Sequence, residues 1–145
     1  MNRQFYFADQ EGMKKVDALR VNLERIGAGC IVEVHDTMVS SSNIESIFSH
    51  CDIIIEAFDI AEMKEMLATE VVTRWPGKPL ILGSGMAGYG GSNEIRVRDL
   101  GENLYICGDE SSEVSDELPA MGPRVGIVAS MQANLAIEIL MKMKA

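Results

Sequence analysis

The hydrophobic and polar positions of this chain follow two periods, and the clearest apolar run lies in residues 51–59. There Ile53, Ile54 and Ile55 follow one another with no polar residue between them. A run without alternation is typical of a strand covered on both faces, as in a parallel sheet flanked by helices. Full burial stabilises each Ile side chain by about 1.5–3 kcal/mol. We therefore predict that this strand organises the fold.

The remaining pattern predicts helices on both sides of that strand. Apolar residues at helical spacing predict helices over 11–26, 61–75 and from 122 to about 140, and a capping box at 42–45 predicts a short helix through 50. Short β-branched or apolar stretches predict strands over 30–34 and 79–82. Alternation in 94–98 and 104–107 predicts an antiparallel hairpin. In the first helix the predicted buried stripe is Val16, Leu19, Leu23 and Ile26. We expect one α/β domain over residues 1–145, with a Rossmann-like, mostly parallel sheet and a hairpin in its C-terminal half.

Composition and charge exclude several classes of protein. The apolar fraction of 47% and the charged fraction of 24% are ordinary globular values. The net charge of −9 argues against nucleic-acid binding. The three cysteines form no Cys-x-x-Cys motif, so neither a zinc site nor a disulfide framework is predicted. With no secretory signal and no run of about 18 apolar residues, we expect a cytoplasmic chain that does not enter a membrane.

Two stretches are distinctive in composition. Residues 109–117 hold five acids and no base, which predicts a solvated, mobile loop. Residues 83–91 match the letters G-x-G-x-x-G after a strand, but Gly90 and Gly91 break any helix that would follow. A dinucleotide fingerprint needs that helix. We expect instead that the glycines let the backbone pass close to a ligand or to another strand.

Three charged positions are candidates for binding an anion. Asp59 follows the organising strand, and ligands of open α/β sheets gather at the carboxyl ends of strands. It could equally cap the next helix together with Glu62, and the two roles are compatible. Lys14 and Lys15 stand in the first turn of a helix, where the dipole disfavours cations, so they indicate a nearby anion unless they are simply solvated. Arg3 could bind phosphate through its guanidinium or be solvated at the terminus.

Four features occur in an order that resembles a known family. They are Asn2-Arg3-Gln4, the run from Gly12 to Val16, the run from Asp52 to Asp59, and the run from Gly83 to Gly88. The set resembles the ThiF/MoeB/HesA family, the bacterial relatives of ubiquitin-activating (E1) enzymes, and is most similar to short ThiF-type proteins. The resemblance covers essentially the whole chain. It implies that ATP and magnesium are used to adenylate the C-terminal glycine of a small ubiquitin-like sulfur carrier, a ThiS-like protein.

The resemblance also implies roles for particular residues. Asn2 and Arg3, with Gln4 beside them, would hold the ATP phosphates, and Lys15 rather than Lys14 would neutralise them. Asp59 would bind magnesium through ATP. The cysteine pairs that bind zinc in many relatives are absent, so no zinc is expected. No side-chain nucleophile is required, because such catalysis consists mainly of positioning and charge neutralisation.

The sequence departs from the family before Asn2. In the family a strand and a Gly-rich nucleotide loop precede this segment, whereas here Met1 stands directly before it. One hypothesis is therefore an E1-like adenylyltransferase that is active only when another polypeptide supplies the loop. The alternative is a truncated, non-catalytic relative that acts as a scaffold, and a weaker option is a nucleotide-binding module built on residues 83–91. An open hydrophobic sheet edge is a liability, so we expect a homodimer or a higher assembly. Whether thiamine biosynthesis or another pathway is served stays open.

Overall fold

The structure is a computed structural model that describes residues 5–27 and 29–145. Its sheet has four strands: β1 (Ile54–Ile55), β2 (Leu80–Gly83), β3 (Arg96–Asp99) and β4 (Leu104–Gly108). They lie in the order β1-β2-β4-β3. β1, β2 and β4 are parallel neighbours, while β3 pairs antiparallel with β4. The prediction of a Rossmann-like, mostly parallel α/β sheet with a C-terminal hairpin is confirmed.

Four helices surround the sheet: α1 (Lys15–Ile26), α2 (Ile44–Phe48), α3 (Ala61–Arg74) and α4 (Gly122–Met143). Short 3-10 turns occupy Ala8–Gln10 and Ser92–Glu94. α1 begins four residues later than predicted and ends at Gly27, whose φ of 74° is left-handed and therefore suits glycine. α4 begins with Pro123 in its first turn, as predicted, because that position needs no backbone donor.

The hydrophobic core lies on both faces of the sheet. Leu80 belongs to one cluster with Leu67 and Val71 of α3, and Ile81 belongs to a second cluster with Val128 of α4. Successive residues of a strand point to opposite faces. Since Leu80 and Ile81 are 1% and 0% exposed, both faces of β2 are covered. The strand that is covered on both faces is therefore β2 rather than the predicted run at Ile53–Ile55.

β1 is an edge strand instead. It contains only Ile54 and Ile55 and pairs with β2 alone among the described strands. Ile54 is buried, but Ile55 is 45% exposed. The prediction that the Ile53–Ile55 run is covered on both faces is therefore wrong for Ile55. The physical reason is that Ile55 belongs to neither core cluster, because α4 packs over β2 and β4.

The predicted strand at Cys30–Val34 does not form. In the described part of the chain this segment has no strand partner, and Ile31 is 100% exposed. A β-branched segment has little tendency to form a strand without a neighbour that accepts its backbone hydrogen bonds. The segment has the composition of a strand, but the described sheet contains no strand that pairs with it.

The predicted apolar stripe of α1 is also wrong. Leu19 is 47% exposed and Ile26 is 75% exposed, whereas the helix buries Ala18 and Asn22. The buried face packs on the N-terminal segment, where the Gln10 amide donates to the Asn22 side-chain oxygen over 2.7 Å. Val16 and Leu23 are half-buried, and burial of the exposed Leu19 and Ile26 would need a further element.

α4 packs on the sheet through one face only. Val128, Gln132 and Ala136 are buried, while Ala133 and Ile137 are exposed. The described residues do not cover the rest of the helix. By length and composition α4 is apolar enough to cross a membrane, contrary to our expectation that no segment is. This is a weak indication, because core helices of soluble proteins pass the same test.

Candidate functional site

Asp59 lies in the turn between β1 and α3, beyond the carboxyl end of the strand. The residue at the N-cap of α3 is Ile60, and no side chain caps the helix, so the capping interpretation of Asp59 is wrong. The Asp59 side chain is exposed and makes no hydrogen bond or ion pair with any residue in 5–27 or 29–145. Its carboxylate is therefore open to solvent at the sheet end where α/β ligands bind.

A carboxylate oxygen in this position suits magnesium. In nucleotide sites this ion is bound by one or two carboxylates and by substrate phosphates, and it keeps several waters. Among the described residues no group of three His, Cys, Asp or Glu side chains could hold a metal by itself. Asp59 consequently fits a magnesium ion that arrives with ATP better than a resident metal centre.

The two lysines of the α1 start have different surroundings. Lys14, which precedes the helix, forms an ion pair with Asp36, and this hydrogen bond raises the pKa of Lys14. Lys15 is the first residue of α1, is exposed, and its ammonium contacts no acceptor in the described part of the chain. Lys15 is thus the one of the two lysines that is available to an anion, because the Lys14 ammonium is already paired with the Asp36 carboxylate.

The remaining candidates, Asn2, Arg3 and Gln4, lie outside the described residues. Lys15 and Asp59 do not form an ion pair with each other. Convergence of residues 3, 15 and 59 on one anion therefore remains a prediction.

Sequence reasoning missed a buried charge directly behind Asp59. Glu56 ends the apolar run of β1, and its side chain is 0% exposed. Lys64 of α3 donates to both carboxylate oxygens, over 2.8 and 2.9 Å. The backbone N–H groups of Phe58 and Gly83 donate to the same carboxylate. An acid that immediately follows three isoleucines was the signal for this residue.

Gln132 of α4 joins this cluster from the other face of the sheet. Its amide donates to the Glu56 carbonyl over 3.0 Å and lies 3.4 Å from the Ile81 carbonyl. The side chain is 5% exposed. A buried polar group needs such partners, so Gln132 ties α4 to the carboxyl ends of β1 and β2.

The glycine stretch 83–91 packs against the segment that follows β4. A Cβ on Gly85, whose φ is +69°, would lie 2.0 Å from an Asp109 carboxylate oxygen. A Cβ on Gly108 would lie 1.4 Å from the Ser84 carbonyl oxygen. The interpretation that these glycines admit another part of the chain is confirmed. The dinucleotide interpretation gains no support, because the space in question is filled by protein.

Asp109 and Arg124 form a second buried ion pair, and both side chains are 6% exposed. Burial acts to raise the pKa of Asp109. The N–H groups of Ser112 and Ser111 and the Arg124 guanidinium outweigh burial and hold that pKa well below its usual range. The start of the acidic stretch is therefore held by specific contacts, and within the predicted loop of residues 109–117 the solvated part is confirmed for the exposed residues 113–117.

Comparisons with known proteins identify the family of the chain. The model of the ThiF family matches residues 1–145. The chain belongs to the ThiF family. It is 29% identical to the adenylyltransferase and sulfurtransferase MOCS3 of Caenorhabditis briggsae over 146 residues. This match covers 95% of the chain but 35% of that protein, so the chain spans about a third of the length of this relative.

Solved structures show the same fold. TcdA (CsdL) superposes with a TM-score of 0.84 at 16% identity, over 99% of this chain and 71% of that one. The E. coli tRNA N6-threonylcarbamoyladenosine dehydratase TcdA in complex with AMP gives 0.84 at 18% identity, with 99% and 71% coverage. Its complex with ATP gives 0.76 at 17% identity, with 97% and 71% coverage. At these identities the similarity establishes the fold, and membership of the ThiF family rests on the sequence match.

Proposed function

We propose that this ThiF-family chain takes part in ATP-dependent adenylation of the C-terminal carboxylate of a ubiquitin-like sulfur carrier protein. The observation that carries the proposal is the open carboxylate of Asp59 beyond β1, in a chain whose fold matches nucleotide-bound relatives. The similarity to a protein named an adenylyltransferase and sulfurtransferase supports the same chemistry. A carrier of the ThiS type fits this proposal, in thiamine biosynthesis or a related route, within a reducing cytoplasm.

The reaction needs charge neutralisation rather than a protein nucleophile. A carrier carboxylate oxygen bonds to the α-phosphorus of ATP while the bond to pyrophosphate breaks, so negative charge builds on the leaving group. Arg3 and Lys15 would neutralise this charge, and Asn2 and Gln4 would donate neutral hydrogen bonds. Asp59 would hold magnesium on the phosphates, and the ion supplies further charge neutralisation when it is bound.

We further propose that a Gly-rich nucleotide loop from another segment or chain completes the site. Two observations support this: β1 pairs with β2 alone among the described strands, and the apolar side chains of Leu19 and Ile31 are exposed. A strand added beside β1 would pair its open edge. In this arrangement the chain provides the charged half of the pocket through Arg3, Lys15 and Asp59, and the added segment would cradle the nucleotide.

The assay measures ATP binding by calorimetry, with and without magnesium, followed by pyrophosphate exchange with a ThiS-like carrier. We expect magnesium-dependent binding near a Kd of about 1 mM, because part of the pocket is supplied from elsewhere. Asp59→Ala and Lys15→Ala should abolish it. Asp52→Ala, an exposed acid at the opposite end of β1, and Lys14→Ala, which loses only the Asp36 contact, are the matched controls.

The outcomes separate the three hypotheses. Absence of binding at millimolar ATP would favour the non-catalytic scaffold. Binding that survives in the Asp59 and Lys15 variants but is lost in Gly85→Val would favour a nucleotide module on residues 83–91. Equal effects of the control and site variants would reject the residue assignment, even if ATP binds.

We also propose that the chain self-associates through α4. The outer face of this helix, with Val97 of β3, lines an open depression of about 890 Å³. Ile137 and Met141 are 62% and 65% exposed beside it. Light scattering at micromolar concentration should give a dimer or a larger assembly, and Ile137→Asp should reduce it. Val72→Asp, on the exposed face of α3, is the control, and a monomeric wild type would contradict the proposal.

A further inference from the structure

Glu56 and Lys64 form a fully satisfied charged pair beneath the turn that carries Asp59. The carboxylate accepts from Lys64 through both oxygens and from two backbone N–H groups. Lys64 donates its third proton to the Gly83 carbonyl over 3.0 Å. The pair thus joins the end of β1, the second turn of α3 and the end of β2. None of its donors or acceptors is left for a ligand.

A buried ion pair is poor evidence of stabilisation, because removing two charges from water costs about as much as their attraction returns. Apolar side chains of similar size usually serve stability as well or better. A pair in this position therefore calls for a reason beyond stability. Its location gives one, since Glu56 lies three residues before Asp59 and Lys64 lies five residues after it.

The turn between them has few other constraints. α3 begins at Ala61, and its N-cap residue Ile60 makes no side-chain cap. Among the described residues, the Phe58 side chain packs against the core, and the hydrogen bond from the Phe58 N–H to Glu56 is the one hydrogen bond that holds residues 57–59. A bond from a side chain to the backbone two residues on restricts the dihedral angles between them. Glu56 consequently restrains the backbone that leads into Asp59.

We propose that Glu56 is the positioning residue of the candidate site, holding the backbone of the turn at residues 57–59 so that Asp59 starts from a fixed place at the end of β1 before a ligand arrives. Lys64 neutralises Glu56 and ties the turn to β2, and it does not bind phosphate, because its three protons are already donated within the protein. The inference rests on the proposed function for the ligand but not for the turn itself.

Two double variants test this role in the whole chain. Glu56→Met with Lys64→Met removes both charges and the acceptor for the Phe58 N–H. Glu56→Gln with Lys64→Met also removes both charges but keeps an amide oxygen as acceptor. Neither double variant leaves a lone buried charge, whereas Lys64→Met alone leaves the Glu56 carboxylate unpaired. Both double variants should therefore unfold cooperatively at a higher urea midpoint than Lys64→Met. Glu70→Gln on α3, which breaks only the pair with Arg74, is the surface control.

The first readout needs no nucleotide. Amide hydrogen exchange by NMR should show faster exchange at Phe58 in the Met/Met variant by at least about tenfold, with Val71 of α3 unchanged. The Gln/Met variant should keep the protection of Phe58. Equal exchange in the two variants would overturn the positioning role, because a merely structural pair does not distinguish them.

The second readout is magnesium-dependent ATP binding. The affinity for ATP should fall at least about tenfold in the Met/Met variant, equivalent to about 1.4 kcal/mol of binding free energy. The Gln/Met variant should keep the affinity of the wild type. A loss in Gln/Met with Phe58 still protected would mean that Lys64 contacts phosphate and would reject its assigned role. If the wild type binds no ATP, the proposed function fails, and amide exchange alone still decides whether Glu56 fixes the turn.

Discussion

The buried pair of Asp109 and Arg124 predicts a large loss of stability from a small chemical change. Asp109→Asn keeps the shape of the side chain but removes its charge. Removing one partner of a buried pair costs about 3–5 kcal/mol, because the other charge remains buried. We expect the lower end, about 3 kcal/mol, since the Asn oxygen can still accept the Ser111 and Ser112 N–H groups that lie 2.8 Å away. Arg124 already has a buried Nε without a partner in the described part of the chain, so a second unsatisfied donor is not easily absorbed.

Urea unfolding at pH 7 measures this cost. With a slope of about 1–3 kcal/mol per molar urea, the midpoint should fall by roughly 1–3 M. Glu110→Gln is the matched control: it breaks the neighbouring pair with Arg98, whose side chains are 25% and 53% exposed. An exposed pair contributes under about 1 kcal/mol. If the two variants lose stability equally, the reasoning from burial is refuted.

The pH dependence gives an independent check on the same pair. The folded pKa of Asp109 lies below its usual value, so the carboxylate contributes stability above the unfolded pKa of about 3.9. That contribution is lost as the pH falls through the folded pKa. The difference in free energy of unfolding between wild type and Asp109→Asn should therefore be constant from pH 7 to about pH 5 and smaller at pH 3. A difference that grows on acidification would contradict the assigned sign.

Three further predictions concern stability in urea. Gly85→Ala should lower the free energy of unfolding by more than about 2 kcal/mol, because the added Cβ would overlap the segment after β4. Gly90→Ala has a similar φ of +72° but open space around it, so it should lose only about 1 kcal/mol. Equal losses in the two variants would contradict the packing explanation. Gln132→Leu should cost about 1–3 kcal/mol, since the Glu56 carbonyl loses its buried donor; no loss would mean that this carbonyl finds water. Leu19→Ser should change the free energy of unfolding by less than about 0.5 kcal/mol, because Leu19 is exposed. Asn22→Ala should lower it by about 1–2 kcal/mol, because the buried Gln10 amide loses its acceptor. The reverse order would mean that Leu19 belongs to the buried face of α1 after all.

The candidate site was only partly accessible to sequence reasoning. Asp59 could be placed at a strand end from the apolar run before it, and the unusual charge at a helix start indicated Lys14 and Lys15 together. The choice of Lys15 between them came from the family resemblance. The partners of these groups could not, because they come from distant segments. Asp36 neutralises Lys14 across 22 residues, and the Gln132 amide reaches the Glu56 carbonyl across 76.

The sequence by itself determined the local elements of this protein. Period and turn residues were enough to predict α3, α4, β2 and the β3–β4 hairpin, because hydrophobic periodicity and turn chemistry are properties of neighbouring residues. Tertiary structure decided which predicted surfaces became buried. Leu19, Ile31 and Ile55 have the pattern of core residues, yet burial requires a neighbour to cover them, and the described sheet ends at β1. The buried charges of Glu56 and Asp109 were decided in the same way, since a charge can be buried only where the fold brings it a partner.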